Sequence, residues 1–158
     1  MMSPETLSML AGELMADYAE LIDSDRLEEW LELFTEDARY DVIPRENVEQ
    51  GFRLSLMVCS NKAQLRDRIT ALRQANEYNL HYDRHLIGSV RVRPSPDGTF
   101  EIGANYAVFQ TTLEGQSRLF SAGCYRDRVR MIDGRMRIYD KRVIVDTFSI
   151  PTLLATPL

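Results

Sequence analysis

Histidine and cysteine are scarce in this chain, which contains two of each among its 158 residues. The sequence therefore does not predict a disulfide scaffold, and the two isolated thiols, Cys59 and Cys124, are typical of a protein in the reducing cytoplasm. Long apolar runs are also missing: the longest, such as residues 56–59, have four residues, whereas roughly 20 are needed to span a bilayer. Residues 1–5 lack the basic and apolar regions of a signal peptide. We therefore expect a cytoplasmic protein that does not enter a membrane.

Lysine is nearly absent as well, because Lys62 and Lys141 stand against 17 arginines. Residues 1–50 contain 14 acidic and 3 basic side chains, so their net charge of -11 is balanced by +6 in residues 51–158, giving -5 overall. An acidic chain without a basic footprint is not expected to bind nucleic acid. Arginine is favoured at protein interfaces, so the pattern indicates an assembling subunit, although a GC-rich genome would produce the same preference.

Apolar residues at helical spacing predict three helices in the first half of the chain. They cover about residues 4–22, residues 24 or 25 to 34, and a segment from a cap at Asn61 to near Asn76. The first begins with Ser3-Pro4-Glu5, which places a hydroxyl cap, a proline and an acid where helix starts favour them. In the second, Asp25 and Glu28 are spaced for a capping box.

After residue 84 the apolar period changes to two, which predicts antiparallel strands joined by short turns. A short strand, residues 38–43, precedes this block. The later strands are expected over residues 86–93, 100–113, 119–131 and 136–145, with a hairpin signal at Asp133-Gly134. Since these strands are longer than usual, the sheet must twist and bend, and Gly103 and Gly123 are the candidate bends.

This order of elements predicts an α+β fold in a single domain covering residues 1–158. About three N-terminal helices would cover one face of a curved, mostly antiparallel sheet shaped as a half-open cone. The side chains that could do chemistry inside the cone are Tyr40, Asp41, His85, Tyr106 and Asp146. A carboxylate beside a tyrosine or histidine in an apolar pocket can remove a proton next to a carbonyl. The simpler interpretation, which we prefer, is that the tyrosines fill the core.

The sharpest local pattern is His81, Asp83 and His85, since two histidines and a carboxylate are the ligands of non-haem Fe(II) oxygenases. On a strand, residues four apart are about 13 Å apart, which is too far for both imidazoles to bind one ion. We therefore expect no metal here and a structural or interface hydrogen bond for His85. A Rieske cluster needs two cysteines and two histidines, and it is excluded because Cys59 and Cys124 do not lie in Cys-x-His or Cys-x-x-His patterns.

Three segments together resemble the small (beta) subunit of Rieske-type aromatic-ring-hydroxylating dioxygenases: residues 30–40, residues 67–73 and residues 83–92. The resemblance covers essentially the whole chain. Its first segment also occurs across the nuclear-transport-factor-2-like (NTF2-like, SnoaL-like) superfamily, whereas Arg84-His85 is more discriminating. Many family members have Ser-Asn where this chain has Gly88-Ser89. In this respect the chain is similar to small subunits that act on single-ring aromatic acids such as terephthalate, salicylate or anthranilate.

The resemblance implies an NTF2-like cone that is mainly structural, typically as three copies in an α3β3 assembly with a large (alpha) subunit. The large subunit would carry the Rieske [2Fe–2S] cluster and the mononuclear iron, receive electrons that originate from NAD(P)H, and hydroxylate an aromatic ring with O₂. For this chain the resemblance implies no catalytic, cofactor-binding or metal-binding residue.

Two other functions stay open at this point. The chain could be a stand-alone isomerase, dehydratase or hydrolase that uses Asp41, His85 or a tyrosine, or a small-molecule binding module of the same fold.

Two structural expectations accompany the leading interpretation. We expect Arg126, Arg128 and Arg130 to contribute to an assembly interface. We also expect the apolar tail, residues 150–158, to pack against its own sheet or a neighbouring subunit, because its leucines would otherwise remain in water.

Overall fold

The computed structural model describes residues 1–74, 80–146 and 156–158. Within these ranges the elements in chain order are α1 (Pro4–Asp23), α2 (Leu27–Trp30), a 3₁₀ turn (Leu31–Leu33), β1 (Phe34–Pro44), α3 (Arg45–Glu49), β2 (Met57–Cys59), α4 (Lys62–Gln74), β3 (His81–Pro94), β4 (Phe100–Thr112), β5 (Ser117–Ile132) and β6 (Arg135–Val145). The strands form one sheet in the order β2-β1-β6-β5-β4-β3. Adjacent strands are antiparallel except β1 and β6, which are parallel. The α+β class with a mostly antiparallel sheet is confirmed.

Helix α1 begins where the sequence predicts and packs along β3. The hydroxyl of Ser3 accepts a hydrogen bond from the backbone N–H of Thr6 at 3.2 Å, and Pro4 occupies the first turn. Both features suit a helix start, because the first N–H groups of a helix have no partner within it. The buried stripe of the helix consists of Leu7, Ala11, Leu14, Met15, Tyr18 and Ile22.

The predicted second helix is shorter than expected, because Phe34 begins β1 instead of ending a helix. The predicted capping box is also wrong, since Asp25 adopts a left-handed backbone conformation with φ of 57° and Arg26 is the cap. The carboxylates of Asp25 and Glu28 instead bind the guanidinium of Arg73 on α4, at 2.7 and 2.9 Å. A tertiary ion pair therefore replaces the local cap and joins α4 to α2.

Two short elements, α3 and β2, lie in the segment that the sequence pattern left unassigned. The next helix starts as predicted, since the side chain of Asn61 accepts a hydrogen bond from the N–H of Gln64 at 2.9 Å. Its residues Leu65 and Ile69 are buried. The expected end near Asn76 lies outside the described residues. None of the helices in the described part of the chain has the length and apolarity that a membrane crossing needs.

Extra residues interrupt the register of the described strands at four places: between Phe34 and Arg39 on β1, next to Ser89 on β3, at Phe120 on β5 and at Tyr139 on β6. The β4–β5 register is continuous at Gly103 and Gly123, the two positions expected to mark bends, but the interruption on β3 ends at Arg91, which lies opposite Gly103. Gly123 has a different role, because a Cβ atom there would lie 1.9 Å from the carbonyl oxygen of Ile144. The β5 and β6 backbones therefore approach each other too closely for any side chain at this position.

Aromatic side chains fill the space between the helices and the sheet. The ring of Tyr18 meets those of Trp30 and Tyr125 edge-on, both at 5.7 Å between centroids. The ring of Tyr106 stacks on that of Tyr125 at 4.7 Å. Because edge-on and stacked pairs add about 0.5–1.5 kcal/mol each beyond area burial, these rings both fill the cone and hold one another in place.

Candidate functional site

The two faces of the sheet differ in character and divide the predicted site residues between them. Tyr40 and Val42 of β1 belong to the core between the sheet and the helices, which we call the cone interior. Asp41 and Ile43 point the other way, because successive side chains of a strand alternate, and they line a concavity on the opposite surface, which we call the outer face. Tyr40 and Asp41 therefore cannot act in one pocket.

Of the five residues proposed to work in the cone, three reach its interior and two do not. The hydroxyls of Tyr106 and Ser121 form a buried hydrogen bond at 2.9 Å, and Tyr40 and His85 are also buried inside. Asp41 instead lies 3.4 Å from Arg39 on the outer face. Asp146 follows β6, where its half-exposed carboxylate pairs with Arg45 at 3.1 Å. Placing both carboxylates in the pocket was therefore wrong.

His85 forms a close pair with Asp23, the last residue of α1. Its Nδ1 lies 2.6 Å from Asp23 Oδ1, and its backbone N–H donates to Asp23 Oδ2 at 2.8 Å. The imidazole is completely buried, and its Nε2 has no hydrogen-bond partner among the residues that the structure describes. A carboxylate at a helix C-terminus is disfavoured by the helix dipole, so the two hydrogen bonds from His85 compensate for the position of Asp23. The structural role expected for His85 is observed, with a partner that sequence spacing did not reveal.

His81 and Asp83 lie near His85 on β3 but do not converge with it on one point. Nε2 of His81 is 3.3 Å from Asp83 Oδ1, whereas His85 is engaged with Asp23. Asp83 Oδ2 accepts a hydrogen bond from Thr156 at 2.9 Å. Among the residues that the structure describes, no three His, Cys, Asp or Glu side chains are placed to hold a metal ion.

The cysteines and histidines do not fit an iron–sulfur cluster either. Cys59 lies on β2 and is buried against the cone interior, while Cys124 lies on β5 and lines the outer face. The histidines are on β3, at the edge of the sheet opposite β2. Since a Rieske centre needs two cysteines and two histidines around one cluster, these side chains cannot form one.

An ion pair between Lys141 and Asp127 lies on the inner face of the sheet, with its charged atoms 2.9 Å apart and neither side chain exposed. The ammonium of Lys141 also lies 3.3 Å from the ring centroid of Tyr125 and 4.2 Å from that of Tyr18. Burial raises the pKa of Asp127 to about 6 and lowers the pKa of Lys141, while their mutual attraction opposes both shifts. Rings and carboxylate together replace the water around the ammonium.

The end of the described chain enters the cone. Leu158 is 1% exposed, and its main-chain oxygen accepts hydrogen bonds from the hydroxyls of Tyr18 and Tyr40, at 2.5 and 3.1 Å. Next to Pro157 and Tyr40, a remaining space of about 20 Å³ separates the tail from α4. A space of roughly 10–15 Å³ on this measure already holds a water molecule, so there is room for about one. The tail expectation is confirmed for residues 156–158, whereas residues 150–155 lie outside the described ranges.

Arginines dominate the outer face of the sheet around a concavity of about 620 Å³. Strand register places Arg142 beside Arg126, Arg126 beside Gly103, and Gly103 beside Arg91. We call these four residues the arginine row. Within the described residues, none of its three guanidiniums forms an ion pair, although Glu101 and Asp140 line the same concavity and Asp140 is attracted by Arg142. Gly103 leaves open space beside its own position. Like charges on adjacent strands repel, so the row favours an added anionic group.

The other two arginines expected at an interface already have partners within the chain. Arg128 pairs with Asp97 at 3.1 Å, and Arg130 pairs with Asp37 at 2.9 Å. Both guanidiniums also lie over the ring of Tyr139, at 5.3 and 4.1 Å. Arg126 is therefore the member of the predicted trio that is most available to another chain.

Sequence reasoning missed the partners that organise the interior, namely Tyr18, Asp23, Asp127 and Lys141. Each is separated from its partner by 14 or more residues. The one available signal was Lys141, a rare lysine at an inward-facing position of a strand with apolar inward neighbours. A buried lysine needs a carboxylate partner, and the same period-two pattern places Asp127 inward on β5.

Comparison with known proteins agrees with this geometry. The family model for the ring hydroxylating beta subunit matches residues 17–152. The chain is 42% identical over 137 residues to the small subunit of anthranilate 1,2-dioxygenase from Burkholderia cepacia. The aligned region covers 87% of this chain and 85% of that protein. It is 32% identical over 143 residues to the beta 2 subunit of the terminal oxygenase component of terephthalate 1,2-dioxygenase from a Comamonas species, covering 90% and 93%.

Among solved structures, the beta subunit assigned to an aromatic-ring-hydroxylating dioxygenase of Novosphingobium aromaticivorans matches with a TM-score of 0.88. The two chains are 40% identical, and the match covers 98% of each. The resemblance read from three short segments of the sequence is thus confirmed, and the chain belongs to the family of ring-hydroxylating dioxygenase beta subunits.

Proposed function

We propose that this chain, as a single domain of residues 1–158, is the structural small subunit of a cytoplasmic oxygenase that hydroxylates single-ring aromatic acids. Its most similar relatives named above act, by their names, on anthranilate and terephthalate. Both compounds have one aromatic ring that carries a carboxylate. The two free cysteines support a reducing compartment.

The observation that carries the structural role is the filled cone. Tyr18 and Tyr40, which could otherwise bind a substrate, are hydrogen-bonded to Leu158 of the same chain. The buried carboxylate Asp127 is paired with Lys141, and Asp23 is paired with His85. The groups around these tyrosines are therefore packed and mostly paired with one another, and the concavity that remains between α1 and β3–β4, of about 630 Å³, is lined mostly by apolar side chains. In this proposal the hydroxylation chemistry belongs to a partner chain.

That partner is a large (alpha) subunit, which carries the Rieske [2Fe–2S] cluster and the mononuclear iron in this proposal. These groups supply electron transfer and O₂ activation there, and electrons originating from NAD(P)H reach them through a reductase. This chain contributes no ligand to either metal site. The proposed assembly is α3β3, with three copies of this chain and a catalytic residue in none of them.

The arginine row is the proposed contact surface of the assembly. Arg126 and Arg142 lie side by side on adjacent strands, and residues 1–50 of this chain carry a net charge of -11. Charge complementarity between subunits favours association and fixes their register. A head-to-tail contact between the acidic helical layer of one copy and the arginine row of the next would satisfy both surfaces and close a ring.

Copurification tests the assembly. The chain and its large subunit are produced together, with a purification tag on the large subunit only, and the product is sized by light scattering. We expect the 18.2 kDa chain in equal amount to the large subunit, in a complex of six chains. Recovery of the large subunit alone, with the small chain fully monomeric, would contradict the proposal.

Oxygen consumption tests the substrate class. The purified complex, supplied with NADH and its reductase, is offered anthranilate, terephthalate, benzoate and salicylate, with naphthalene and benzene as controls that lack a carboxylate. We expect substrate-dependent uptake with at least one of the single-ring acids and little with the controls. Uptake with naphthalene alone would reject this substrate class while leaving the structural role intact.

A second function is favoured by one observation, the buried Asp23–His85 pair, in which Nε2 of His85 has no partner within residues 1–74, 80–146 and 156–158. A histidine held by a carboxylate is a common general base, which suits a stand-alone isomerase or dehydratase. The position of His85 opposes this function, because its imidazole is completely buried and is already held by Asp23. Turnover of an enolisable ketone by this chain alone, lost in His85→Gln, would favour the second function over the first.

A further inference from the structure

Asp41 lies on the outer face, in a concavity between strands β1 and β6 and the segment of residues 48–53. Although this face is turned away from the core, its carboxylate is only 6% exposed. One oxygen, Oδ2, contacts the guanidinium of Arg39 at 3.4 Å, which is long for a hydrogen bond between charged groups. The other, Oδ1, is buried and has no hydrogen-bond partner in the part of the chain that the structure describes. Since buried polar atoms are nearly always paired, this oxygen favours a hydrogen-bond donor that enters the concavity.

The size and charge of the concavity suit a small anion. Its volume is about 430 Å³, within the range of roughly 300–1,000 Å³ that small-molecule sites have. The exposed side chains of Arg39, Arg53 and Arg142 also line it. Asp140, half-buried on β6, attracts both Arg39 and Arg142. Three guanidiniums therefore stand against the two carboxylates of Asp41 and Asp140, and the positive charge that remains matches one negative charge on a ligand.

Strand register places the acidic and basic groups within reach of one small molecule. Asp41 on β1 is the neighbour of Arg142 on β6, and adjacent strands lie about 4.8 Å apart. A guanidinium binds a carboxylate through two parallel hydrogen bonds, whereas an ionised aspartate accepts hydrogen bonds and cannot donate one. A ligand that satisfies both groups therefore has a carboxylate and, close to it, an N–H or O–H donor.

Apolar side chains complete the lining and indicate the body of the ligand. Ile43 is buried, Val48 is half-buried, and Phe52 is 54% exposed. The segment that carries Phe52 is held by two hydrogen bonds: its N–H donates to the main-chain oxygen of Asn47 at 2.8 Å, and the Asn47 side chain donates to the main-chain oxygen of Leu54 at 2.7 Å. An exposed ring in a fixed segment gains from being covered by another apolar group, and aromatic rings stack on one another.

We propose that this concavity, the Asp41 site, binds a small aromatic acid that has a hydrogen-bond donor next to its carboxylate. The carboxylate binds the guanidiniums, with Arg142 as the nearest along the sheet, the donor satisfies Oδ1 of Asp41, and the ring covers Phe52. The inference goes beyond the structural role, because it gives this chain a ligand of its own. It requires neither the large subunit nor any turnover.

The first test compares three probes on the isolated 158-residue chain by saturation-transfer NMR. Anthranilate has the ring, the carboxylate and the adjacent donor, benzoate lacks the donor, and aniline lacks the carboxylate. We expect anthranilate to bind with a dissociation constant of about 1 mM or lower, benzoate to bind at least about tenfold more weakly, and aniline to show no saturable binding. Equal affinity for anthranilate and benzoate, or no binding of anthranilate to the folded chain, would overturn the proposal. Because no large subunit is present, either result leaves the structural role unaffected.

The second test assigns the binding to the named groups. Asp41→Ala should reduce the preference for anthranilate over benzoate to within about twofold, because it removes the acceptor for the amino group. Arg142→Gln should weaken both acids by about tenfold, and since this position is exposed, the variant decides the matter even if Asp41→Ala does not fold. Arg126→Gln is the matched control, because Arg126 is the next arginine along the row but does not line the Asp41 site. Equal weakening by Arg126→Gln and Arg142→Gln would place the ligand on the arginine row in general and reject the Asp41 site.

Discussion

Lys141 and Asp127 face each other across β5 and β6 at 2.9 Å, in an interior where neither side chain reaches solvent. One oxygen of Asp127 has no hydrogen-bond partner, so Lys141 is its main source of compensation within the described residues. Taking two such charges out of water costs several kcal/mol per ion before their attraction is counted. The pair is therefore more important for avoiding an isolated charge than for adding net stability.

This argument predicts an asymmetric result for substitutions. Lys141→Met should lower the free energy of unfolding by about 3–5 kcal/mol, because it leaves a buried carboxylate unpaired. The double substitution Lys141→Met and Asp127→Leu should recover most of that loss or exceed the original stability. Urea unfolding measures all variants, and Asp97→Ala, which breaks an exposed pair, should cost at most about 1 kcal/mol. A double variant less stable than Lys141→Met would contradict the argument.

Arg73 should make stability depend on pH in the acidic range. The hydrogen bonds from Arg73 lower the pKa of Glu28 from 4.5 to about 2. The stabilisation that the Arg73–Glu28 pair gives to the folded state is therefore present above pH 4.5 and is lost as the pH falls towards 2. Because Glu28 is 62% exposed, we expect a difference of only about 1 kcal/mol between the chain and Arg73→Gln at pH 7.

Unfolding of both proteins at pH values between 2 and 7 measures this difference, which should shrink towards pH 2. Arg66→Gln, an exposed change on the same helix, serves as the matched control and should show no such trend. A difference that stays constant over the whole pH range would mean that Arg73 acts through packing and not through the carboxylates.

Gly123→Ala should be strongly destabilising, although alanine is favourable in most contexts. The added Cβ would lie 1.9 Å from the carbonyl oxygen of Ile144 and 3.1 Å from the ring of Tyr106, so the backbones of β5 and β6 would have to separate. We expect a loss of about 3 kcal/mol or more, measured by thermal unfolding. Gly103→Ala, where nothing lies within 4 Å, is the control and should be nearly neutral in the isolated chain.

Removing charge from the arginine row should weaken assembly more than it weakens folding. Arg126→Ala is expected to raise the dissociation constant of the small-subunit oligomer by at least tenfold, since loss of one partner of a buried interface pair costs about 2–5 kcal/mol. Sedimentation at several concentrations measures it, and Arg135→Ala, an exposed change at a hairpin, is the control. Equal behaviour of the two variants would remove the arginine row from the interface.

Metal analysis tests whether this chain itself binds iron or zinc. We expect the purified chain to contain no stoichiometric iron or zinc, because His85 is engaged with Asp23 and the cysteines lie on opposite faces of the sheet. Elemental analysis that found about one metal ion per chain, lost on combined substitution His81→Ala and His85→Ala, would show that a site exists in this subunit.

Local patterns were sufficient for many parts of the fold. The Ser3-Pro4 start of α1 and the Asn61 cap were predicted correctly because a helix terminus is satisfied by neighbours within four residues. The Asp133-Gly134 hairpin was predicted correctly for a similar reason, since the turn residues themselves set the backbone geometry. The capping box at Asp25 was wrong because a distant guanidinium competed for the same carboxylates.

The candidate site was less predictable than the fold. Tyr40, Tyr106 and His85 could be assigned to the interior from strand alternation, but Asp41 and Asp146 were assigned there incorrectly. The alternation of β1 alone would have placed Asp41 opposite Tyr40, so this error was avoidable. The position of Asp146 was not, because it depends on Arg45, which lies about 100 residues earlier in the chain.

The sequence by itself determined the α+β class, the separation of an acidic helical half from an arginine-rich strand half, and the family. These properties depend on composition, period and short segments, all of which are local. Only the tertiary structure decided that β1 runs parallel to β6, that Asp23 holds His85, that Lys141 neutralises Asp127, and that Leu158 occupies the cone. Each of these contacts joins groups that are distant in sequence. They form only in the folded chain, where backbone and side-chain polar groups that become buried need hydrogen-bond partners.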